Sequence, residues 1–500
     1  MGTATALMSM ETLQAHDLLA RVLLLLATVL ILKRMLLLSP PFRRSGAAAS
    51  SLPFPRPRGL PIIGNLHQLG ALPQRSLAAL AAEHDAPLML LRLGSVPTLV
   101  VSSAAAARAV FRRGNDRALS GRPALRAAAW LSYGLRNVSF APPGAFWRAA
   151  RRACLSEILG APRVRAFRGV REAEAAVLVA AVAEESTDGS PVNLSEKLVA
   201  TSNRIVRRVA FGDDGEESIR TKAILEETQS LLGAFFVADY MPWLGWLDAL
   251  RGLRGRLERN FRELDAFYEK VIDEHIDKQR RTVSKEEDLV DVLLRLHNDP
   301  AHRSTFGSRS QIKGILTDMF IAGTDTSSAT VEWTMAELLR HPDVLAKAQD
   351  EVRGVAGGGD MVLESDLPRL HYLKLVIRES LRLHPPVPLL VPRETTEPCT
   401  VLGHEGDGGG VVDLNDHKPW HDGGGFRLVP FGLGRRSCPG VHFATAVVEL
   451  LLANLLLCFD WRAPHGGEEV DLEEENGLTV HRKNPPVLVA ERRRGHAHHR

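Results

Sequence analysis

The chain has few cysteines and almost no excess charge, and each shortage argues against a class of protein. Its 500 residues include four cysteines, and no two of them form a CxxC pair. This scatter excludes a typical zinc framework and fits a chain that folds in a reducing compartment. The formal net charge of +3 at pH 7 is too small to favour nucleic-acid binding. With 45% hydrophobic residues, the chain can bury a large core in one domain or several.

One of the cysteines lies in a loop of unusual composition. Residues 430–440 read PFGLGRRSCPG, so Cys438 has three glycines and two prolines around it, which favour a sharply turned backbone that packs closely against a flat partner. From Val441 onward the sequence is mostly apolar, without glycine or proline, which predicts a buried helix just after the cysteine. A helix N-terminus stabilises a thiolate, and a thiolate binds metal. The alternative is that Cys438 is a small buried hydrophobic residue, as free cysteines often are.

The longest helical pattern, residues 308–340, carries small and polar groups near its middle. One predicted face contains Ile315, Met319, Gly323, Thr326 and Thr330. Gly323 would let a flat ligand approach the helix backbone. The Thr326 hydroxyl and the Asp325 carboxylate are groups that can transfer protons. The alternative is a core helix whose threonines hydrogen-bond to their own backbone carbonyls.

Two further helices carry arginines at fixed spacing. Residues 145–157 predict a helix with Trp147 and Arg151 on one face, four positions apart. The alternative is an amphipathic surface helix with a packed tryptophan. Glu379 and Arg382 form an ExxR pair on a helix that ends at two prolines, although this spacing alone is a weak signal.

Together these motifs resemble those of the cytochrome P450 family. The loop around Cys438 reproduces the family's FxxGxRxCxG motif with Phe431, Gly434, Arg436, Cys438 and Gly440. The stretches WRAAR, AGTDTS and ESLRLHPP are similar to the family's WRxxR helix, oxygen-binding groove and ExxR helix. The resemblance implies a mainly α fold with a small β region.

The resemblance also implies a haem cofactor, iron protoporphyrin IX, with the Cys438 thiolate as its axial ligand. The propionate contacts that it implies are Trp147, Arg151, Arg393 and Arg436. Phe431 would lie against the haem, and Gly323 would open the oxygen-binding groove. Thr326 and Asp325 would carry the proton relay.

The implied reaction is the insertion of one oxygen atom of O2 into a small lipophilic substrate, a specialised metabolite in the plant microsomal members of the family. Electrons would come from an NADPH-cytochrome P450 reductase. One alternative is a haem-thiolate isomerase or dehydratase, which the Asp325-Thr326 pair disfavours. Another is a non-catalytic relic without haem.

This last alternative rests on a missing segment. The family has a PERF-type motif, which supplies an arginine to the Glu379–Arg382 network, in a long meander before the cysteine loop. In this chain Phe431 follows Arg393 by 38 positions, and the stretch between them is rich in glycine and has no PERF. Arg427 is the only arginine in that stretch, and it lies too near the loop to be a convincing substitute.

The N-terminal part of the chain predicts membrane attachment. Residues 18–38 are mostly apolar and are followed by basic residues, which predicts a signal anchor over residues 1–38. The alternative is a cleaved signal peptide, with residues 47–49 as its cleavage zone. Residues 39–61 are rich in proline and arginine, which predicts a stiff hinge. The catalytic domain is expected over residues 62–490, and residues 491–500 are expected to form a basic tail. This organisation predicts a single-pass protein of the endoplasmic reticulum membrane whose catalytic domain faces the cytosol.

Overall fold

The computed structural model describes residues 55–111, 115–212, 218–279, 287–397, 428–463, 470–485 and 487–493. The predicted signal anchor, most of the hinge, the glycine-rich stretch with Arg427 and most of the basic tail lie outside these residues. The described residues form two compact units, one of residues 55–70 and 77–101 and the other of residues 71–76 and the described residues from 102 onward.

The described residues are mostly helical, as predicted. They contain eighteen α-helices: α1 (Pro73–Glu83), α2 (Ala104–Val110), α3 (Asn115–Ala118), α4 (Arg126–Leu131), α5 (Ala145–Ala153), α6 (Ala161–Ala166), α7 (Arg168–Glu185), α8 (Leu194–Phe211), α9 (Ser218–Gly233), α10 (Val237–Tyr240), α11 (Trp246–Leu250), α12 (Leu253–Gln279), α13 (Leu289–Asn298), α14 (Arg303–Phe306), α15 (Arg309–Arg340), α16 (Pro342–Ala356), α17 (His371–Leu383) and α18 (Val441–Cys458).

The described residues also contain short 3-10 helices and seven short strands: β1 (Leu88–Leu93), β2 (Val96–Val101), β3 (Pro191–Asn193), β4 (Phe459–Arg462), β5 (Glu474–Glu475), β6 (His481–Arg482) and β7 (Val487–Arg492). They form an antiparallel pair β1–β2, a three-stranded sheet in the order β3-β7-β4, and a hairpin β5–β6. The fold class is therefore the predicted one, mainly α with a small β region.

In the smaller unit, β1 and β2 form an antiparallel hairpin. Val96 pairs with Leu93 across a two-residue turn. Gly94 has a φ of 62°, a left-handed conformation that glycine adopts without steric cost. Pro97 therefore lies within the strand, opposite Arg92.

The long helix α15 begins and ends where the sequence predicts. Ser308 caps its N-terminus in a capping box with Gln311, which satisfies two backbone N–H groups that have no partner within the helix. The helix runs unbroken past Gly323 to Arg340 and packs against α8, α17 and α18. The expected helix over residues 145–157 is α5, which continues as a π-helical turn over Cys154–Ile158.

Helix α18 lies in the core of the larger unit. Within the described residues it is the one helix long and apolar enough to cross a membrane, and most of it is buried among other helices. Leu450, Leu452 and Leu455 have no exposed surface. Its apolar character is thus explained by packing in the core, which fixes the position of the cysteine loop that precedes it.

Candidate active site

The loop before α18 holds Cys438 in a fixed turn. Gly432 and Gly434 have φ values of 73° and 60°, conformations that favour glycine. The Cys438 N–H donates to the Phe431 carbonyl at 2.8 Å, and the N–H of Gly440, the N-cap residue of α18, donates to Cys438 Sγ at 3.3 Å. The loop therefore presents the sulfur at the start of the helix, as the sequence predicts.

Two opposing effects act on the Cys438 thiol. Burial raises its pKa, whereas the hydrogen bond from the Gly440 N–H and the positive charge of Arg151 lower it. Burial is the larger effect, so the helix N-terminus alone does not make this thiol acidic. Binding to a metal deprotonates a coordinating thiol outright.

Three arginines predicted as cofactor contacts line one cavity together with Cys438. Arg436 donates to the carbonyls of Ser120, Val138 and Ala141 at 2.8, 3.2 and 2.6 Å. These bonds fix a guanidinium that is only 8% exposed.

The other two are also held by backbone carbonyls. Arg151 donates to the Ser437 carbonyl at 2.8 Å. Arg393 donates to the Leu433 carbonyl at 2.6 Å, and its Nη1 lies 3.6 Å from Asp116 Oδ1. Burial lowers the pKa of each of these two arginines.

A fourth arginine, Arg122, was missed by the sequence reasoning. It is 8% exposed, lines the same cavity, and donates to the carbonyls of Ser139, Val391 and Pro392 at 3.0, 2.5 and 2.7 Å. Its pKa is lowered to about 9, mainly by burial and to a lesser extent by repulsion from Arg436 and Arg393. Arg122 lies in a loop outside every periodic pattern, so its sequence context resembles that of a surface arginine.

The charges around the cavity fit haem. Burial and repulsion from Arg393 and Arg151 also lower the pKa of Arg436, to about 10. Guanidinium groups that repel one another across a buried cavity call for a ligand with negative charge, and haem carries two propionates. Arginine is well suited to carboxylates because its planar guanidinium can donate two parallel hydrogen bonds. The thiol of Cys438 in the same wall would supply an iron ligand.

Trp147 supports one of these arginines. The Arg436 guanidinium carbon lies 4.2 Å from the centre of the Trp147 ring, a cation–π contact. The indole N–H donates to the Val138 carbonyl at 3.1 Å, and Trp147 is not among the cavity-lining residues. The structure thus places it behind Arg436, while its predicted contact with a propionate stays a prediction.

On α15, four of the five residues predicted to share a face line the cavity: Met319, Gly323, Thr326 and Thr330. The fifth, Ile315, is fully buried in the core. The Thr326 hydroxyl donates to the Ala322 carbonyl at 2.8 Å, the local bond considered as the alternative for this helix. A hydroxyl donor bonded in this way still offers its oxygen as an acceptor to a group in the cavity.

Asp325 points elsewhere. Its Oδ1 lies 2.8 Å from His481 Nε2, and Asp325 is not among the cavity-lining residues. The two predicted relay residues are therefore adjacent in sequence but face different surroundings. Their joint role in proton transfer stays a prediction.

A second carboxylate on α15, Asp318, was also missed by the sequence reasoning. It accepts hydrogen bonds from Asn137 Nδ2 at 2.7 Å, from the Val138 N–H at 2.6 Å and from the Ser139 N–H at 3.1 Å. Burial raises its pKa to about 6, against the lowering effect of these bonds. Asp318 thus ties to α15 the segment whose carbonyls hold Arg122 and Arg436.

A glycine one turn earlier assists this attachment. A Cβ at position 314 would lie 2.3 Å from the Arg136 carbonyl oxygen, so only glycine permits this close approach. Gly314 and Asp318 are four positions apart and therefore on the same face of the helix. Together they dock residues 136–139 on α15.

The Glu379–Arg382 pair lies at the surface. Arg382 Nε and Nη2 donate to the Glu379 carboxylate at 2.8 and 2.6 Å, and the two side chains are 53% and 57% exposed. A buried ion pair that lacks part of its partners has a high desolvation cost. In the described residues this pair is exposed and avoids that cost.

The cavity has a volume of about 300 Å³, and its wall is mainly apolar. Its apolar residues come from several helices and from the stretch after α17, among them Val206, Ala210, Met319, Val387, Leu390 and Val391. An apolar wall with a few fixed polar groups is typical of a site for a small lipophilic molecule.

Comparison with known proteins agrees with the motifs. The family model described as Cytochrome P450 matches residues 54–412 and 414–489. Strychnine-11-hydroxylase from Strychnos nux-vomica is 46% identical over 467 residues, which cover 87% of this chain and 91% of the relative. Cytochrome P450 71A9 from Glycine max is 47% identical over 460 residues, with 86% and 91% covered.

Tryptamine 5-hydroxylase from Oryza sativa subsp. japonica is 40% identical over 495 residues, with 90% and 92% covered. A zebrafish cytochrome P450 structure with abiraterone has a TM-score of 0.68 at 22% identity, with 85% of this chain and 100% of that chain covered, and supports the fold. The chain therefore belongs to the cytochrome P450 family and is a cytochrome P450 monooxygenase.

Proposed function

We propose that the chain binds haem with the Cys438 thiolate as the axial iron ligand and hydroxylates a small lipophilic substrate. The observation that carries the proposal is the convergence of Cys438 and four fixed arginines on one mainly apolar cavity. Arg122, Arg151, Arg393 and Arg436 would hold the propionates, and Phe431 would lie against the ring. When bound, haem supplies the redox-active iron at which O2 is activated.

Residues of α15 would control protons at the cavity. Thr326 faces the cavity with a hydroxyl that can accept and pass on a proton. Asp325, the residue before Thr326, would exchange protons with it from its position beside His481. Gly323 lines the cavity without a side chain, which would leave room there for a small molecule.

The substrate class follows from the apolar wall and from the relatives. Two relatives are named as hydroxylases of strychnine and tryptamine, and both names denote small nitrogen-containing organic molecules. An apolar pocket discriminates weakly between substrates of similar size. We therefore propose a small lipophilic specialised metabolite as the substrate, without a narrower assignment.

The family resemblance supports the proposed reductase, and the N-terminal sequence supports the proposed location. Electrons would come from an NADPH-cytochrome P450 reductase. The apolar segment of residues 18–38, with basic residues after it, would anchor the protein in the endoplasmic reticulum membrane, and residues 39–61 would connect it to a cytosolic catalytic domain spanning residues 62–490. The basic residues 491–500 would form a terminal tail.

The first experiment is the difference spectrum of the reduced, carbon-monoxide-bound protein in microsomes. We expect a red-shifted, thiolate-type absorption band in the wild type and its loss in Cys438→Ala. Cys458→Ala is the matched control, because Cys458 is a partly buried cysteine at the far end of α18. A folded, membrane-bound wild-type protein without this band would contradict the proposal and favour the non-catalytic relic.

Turnover is tested next with the reconstituted reductase. Oxidative O-deethylation of a lipophilic probe, 7-ethoxycoumarin, to 7-hydroxycoumarin and acetaldehyde, with O2 and NADPH consumed, would support the monooxygenase. Isomerised or dehydrated products without NADPH consumption would favour the alternative reaction class.

A further inference from the structure

A histidine of the C-terminal hairpin is enclosed by carboxylates of α15. His481 Nε2 lies 2.8 Å from Asp325 Oδ1, and His481 Nδ1 lies 3.6 Å from Glu332 Oε2. The two carboxylates are seven positions apart, about two turns of the helix, so they lie on the same face. Both ring nitrogens of His481 thus have an acidic neighbour on α15.

The surroundings of this group contain few other charges. Glu332 also accepts a hydrogen bond from the Ser195 hydroxyl on α8 at 2.7 Å. On the hairpin, Arg482 follows His481 and donates to the Asp471 carbonyl at 2.6 Å, and Glu475 is opposite His481 in the strand register. Arg482 also interacts electrostatically with Glu332, so the imidazole shares this carboxylate with a guanidinium.

These neighbours keep the imidazole protonated. Burial alone would lower the pKa of His481, but the hydrogen bonds and charges of Asp325 and Glu332 raise it to about 10. At neutral pH the group is therefore an imidazolium between two carboxylates. Its side chain is 27% exposed, whereas those of Asp325 and Glu332 are 13% and 4% exposed.

The hairpin is fixed to the wall of the cavity. The Trp333 indole N–H donates to the Val480 carbonyl at 3.0 Å, and the Val480 N–H donates to the Pro386 carbonyl at 2.8 Å. Pro386 lines the cavity, as does Thr326. His481 is thus held rigidly beside the turn of α15 that carries both proposed relay residues.

We propose that His481 is a positioning residue for Asp325, whose carboxylate its positive charge holds in one orientation on the turn of α15 that carries Thr326. The proposal rests on the relay role proposed above for Asp325. Without the imidazolium, the Asp325 carboxylate would move among rotamers. Proton delivery through Asp325 and Thr326 would then fail in a larger share of turnovers. Oxygen consumption would then end more often in hydrogen peroxide and less often in product.

The test is a double-mutant cycle in the full-length haem protein with its reductase. The variants are His481→Gln, His481→Arg, Asp325→Asn and the His481→Gln/Asp325→Asn double variant. The readouts are 7-hydroxycoumarin formed from 7-ethoxycoumarin and peroxide released, each per NADPH consumed. We expect His481→Gln to lower product per NADPH about tenfold when Asp325 is present and to have no further effect in Asp325→Asn.

Two comparisons separate charge from packing. His481→Arg keeps a positive charge and should restore product formation, which a purely structural loss would not allow. His341 is the control, because its Nδ1 lies 3.5 Å from the carboxylate of Glu337, also on α15, and it does not line the cavity. His341→Gln should leave the ratio of product to peroxide unchanged.

A measurement without substrate checks the ion pair itself. The stabilising contribution of a histidine with a raised pKa is complete below pH 6.5 and is lost as pH rises through about 10. The thermal unfolding midpoint of the wild type should therefore fall relative to that of His481→Arg over this range. A constant difference would overturn the proposal.

The outcomes also distinguish this inference from the proposed function. Wild-type product formation in Asp325→Asn would remove the relay role of Asp325. A loss in Asp325→Asn with none in His481→Gln would overturn only the positioning role. An equal effect of His481→Gln with and without Asp325 would likewise overturn it.

Discussion

Asp318 offers the sharpest test of how α15 builds the cofactor site. Its carboxylate receives three hydrogen bonds from residues 137–139. The same segment supplies the Val138 and Ser139 carbonyls that accept from Arg436 and Arg122. Asp318→Asn changes this junction while keeping both arginine side chains, and it removes a carboxylate whose charge raises the pKa of Arg122.

The expected change in the free energy of unfolding follows from the hydrogen-bond donor that loses its acceptor. In the variant, one oxygen can still accept from the Val138 and Ser139 N–H groups, but an NH2 group then faces the Asn137 NH2 group. Leaving a buried donor unpaired costs about 1–3 kcal/mol. At neutral pH the variant also removes a buried carboxylate charge that burial disfavours, so the net loss in the free energy of unfolding should be smaller than this cost. If the segment shifts and one arginine contact to a propionate is lost, haem should dissociate about 10–100-fold faster.

The assay combines two measurements and one control. Urea unfolding measures stability, and transfer of haem to excess apomyoglobin, followed by absorbance, measures haem loss. Asp248 is the matched control: it is 2% exposed on α11 and accepts from the Val237 and Ala238 N–H groups at 2.8 and 3.0 Å. Asp248→Asn should lose similar stability but retain haem. Equal haem loss in both variants, or normal haem retention in Asp318→Asn, would refute the reasoning.

Three other predictions concern the same unit. Because burial raises the pKa of Asp318 from 3.8 to about 6, the wild type should lose stability relative to Asp318→Asn as pH rises from about 4 to 6, as measured by urea unfolding at each pH. Arg122→Ala should weaken haem retention in the transfer assay, whereas Arg117→Ala, which removes a side chain that is 77% exposed, should not. Leu452→Ala in α18 should cost about 2–5 kcal/mol of unfolding free energy, because Leu452 is fully buried, and Leu383→Ala, at a 40% exposed site, should cost less.

Each of these predictions has a contradicting result. A pH-independent difference between wild type and Asp318→Asn would mean that the carboxyl does not titrate in this range. Equal haem loss in the two arginine variants would place Arg122 outside the cofactor site. Equal destabilisation by the two leucine variants would contradict the central position of α18.

The sequence predicts the parts of the site that are local in the chain. Cys438, its glycine-rich turn and the helix after it lie within a few residues of one another, so composition and periodicity suffice. The bounds of α15 are likewise local, because Ser308 and Gln311 form the capping box. The family resemblance adds the cofactor, which no periodicity indicates.

The parts that the sequence reasoning missed depend on contacts between distant residues. Asp318 bonds to residues about 180 positions earlier, and His481 bonds to Asp325 156 positions earlier. Arg122 reaches carbonyls near residue 391. Such contacts are fixed by the packing of helices and loops, and neither spacing nor residue type reveals them in one sequence. The exposure of Glu379 and Arg382 is also set by packing.

The apolar character of α18 has a consequence for biogenesis. A segment of this hydropathy is a potential substrate for the membrane-insertion machinery and a potential aggregation site whenever it is not covered. Its helical partners α6, α7, α15, α16 and α17 all precede it in the chain, so they are already synthesised when it emerges from the ribosome. The order of synthesis thus shortens the time during which this helix is exposed. Substitutions that delay the folding of those earlier helices should leave α18 exposed for longer and increase its recognition by chaperones and proteases.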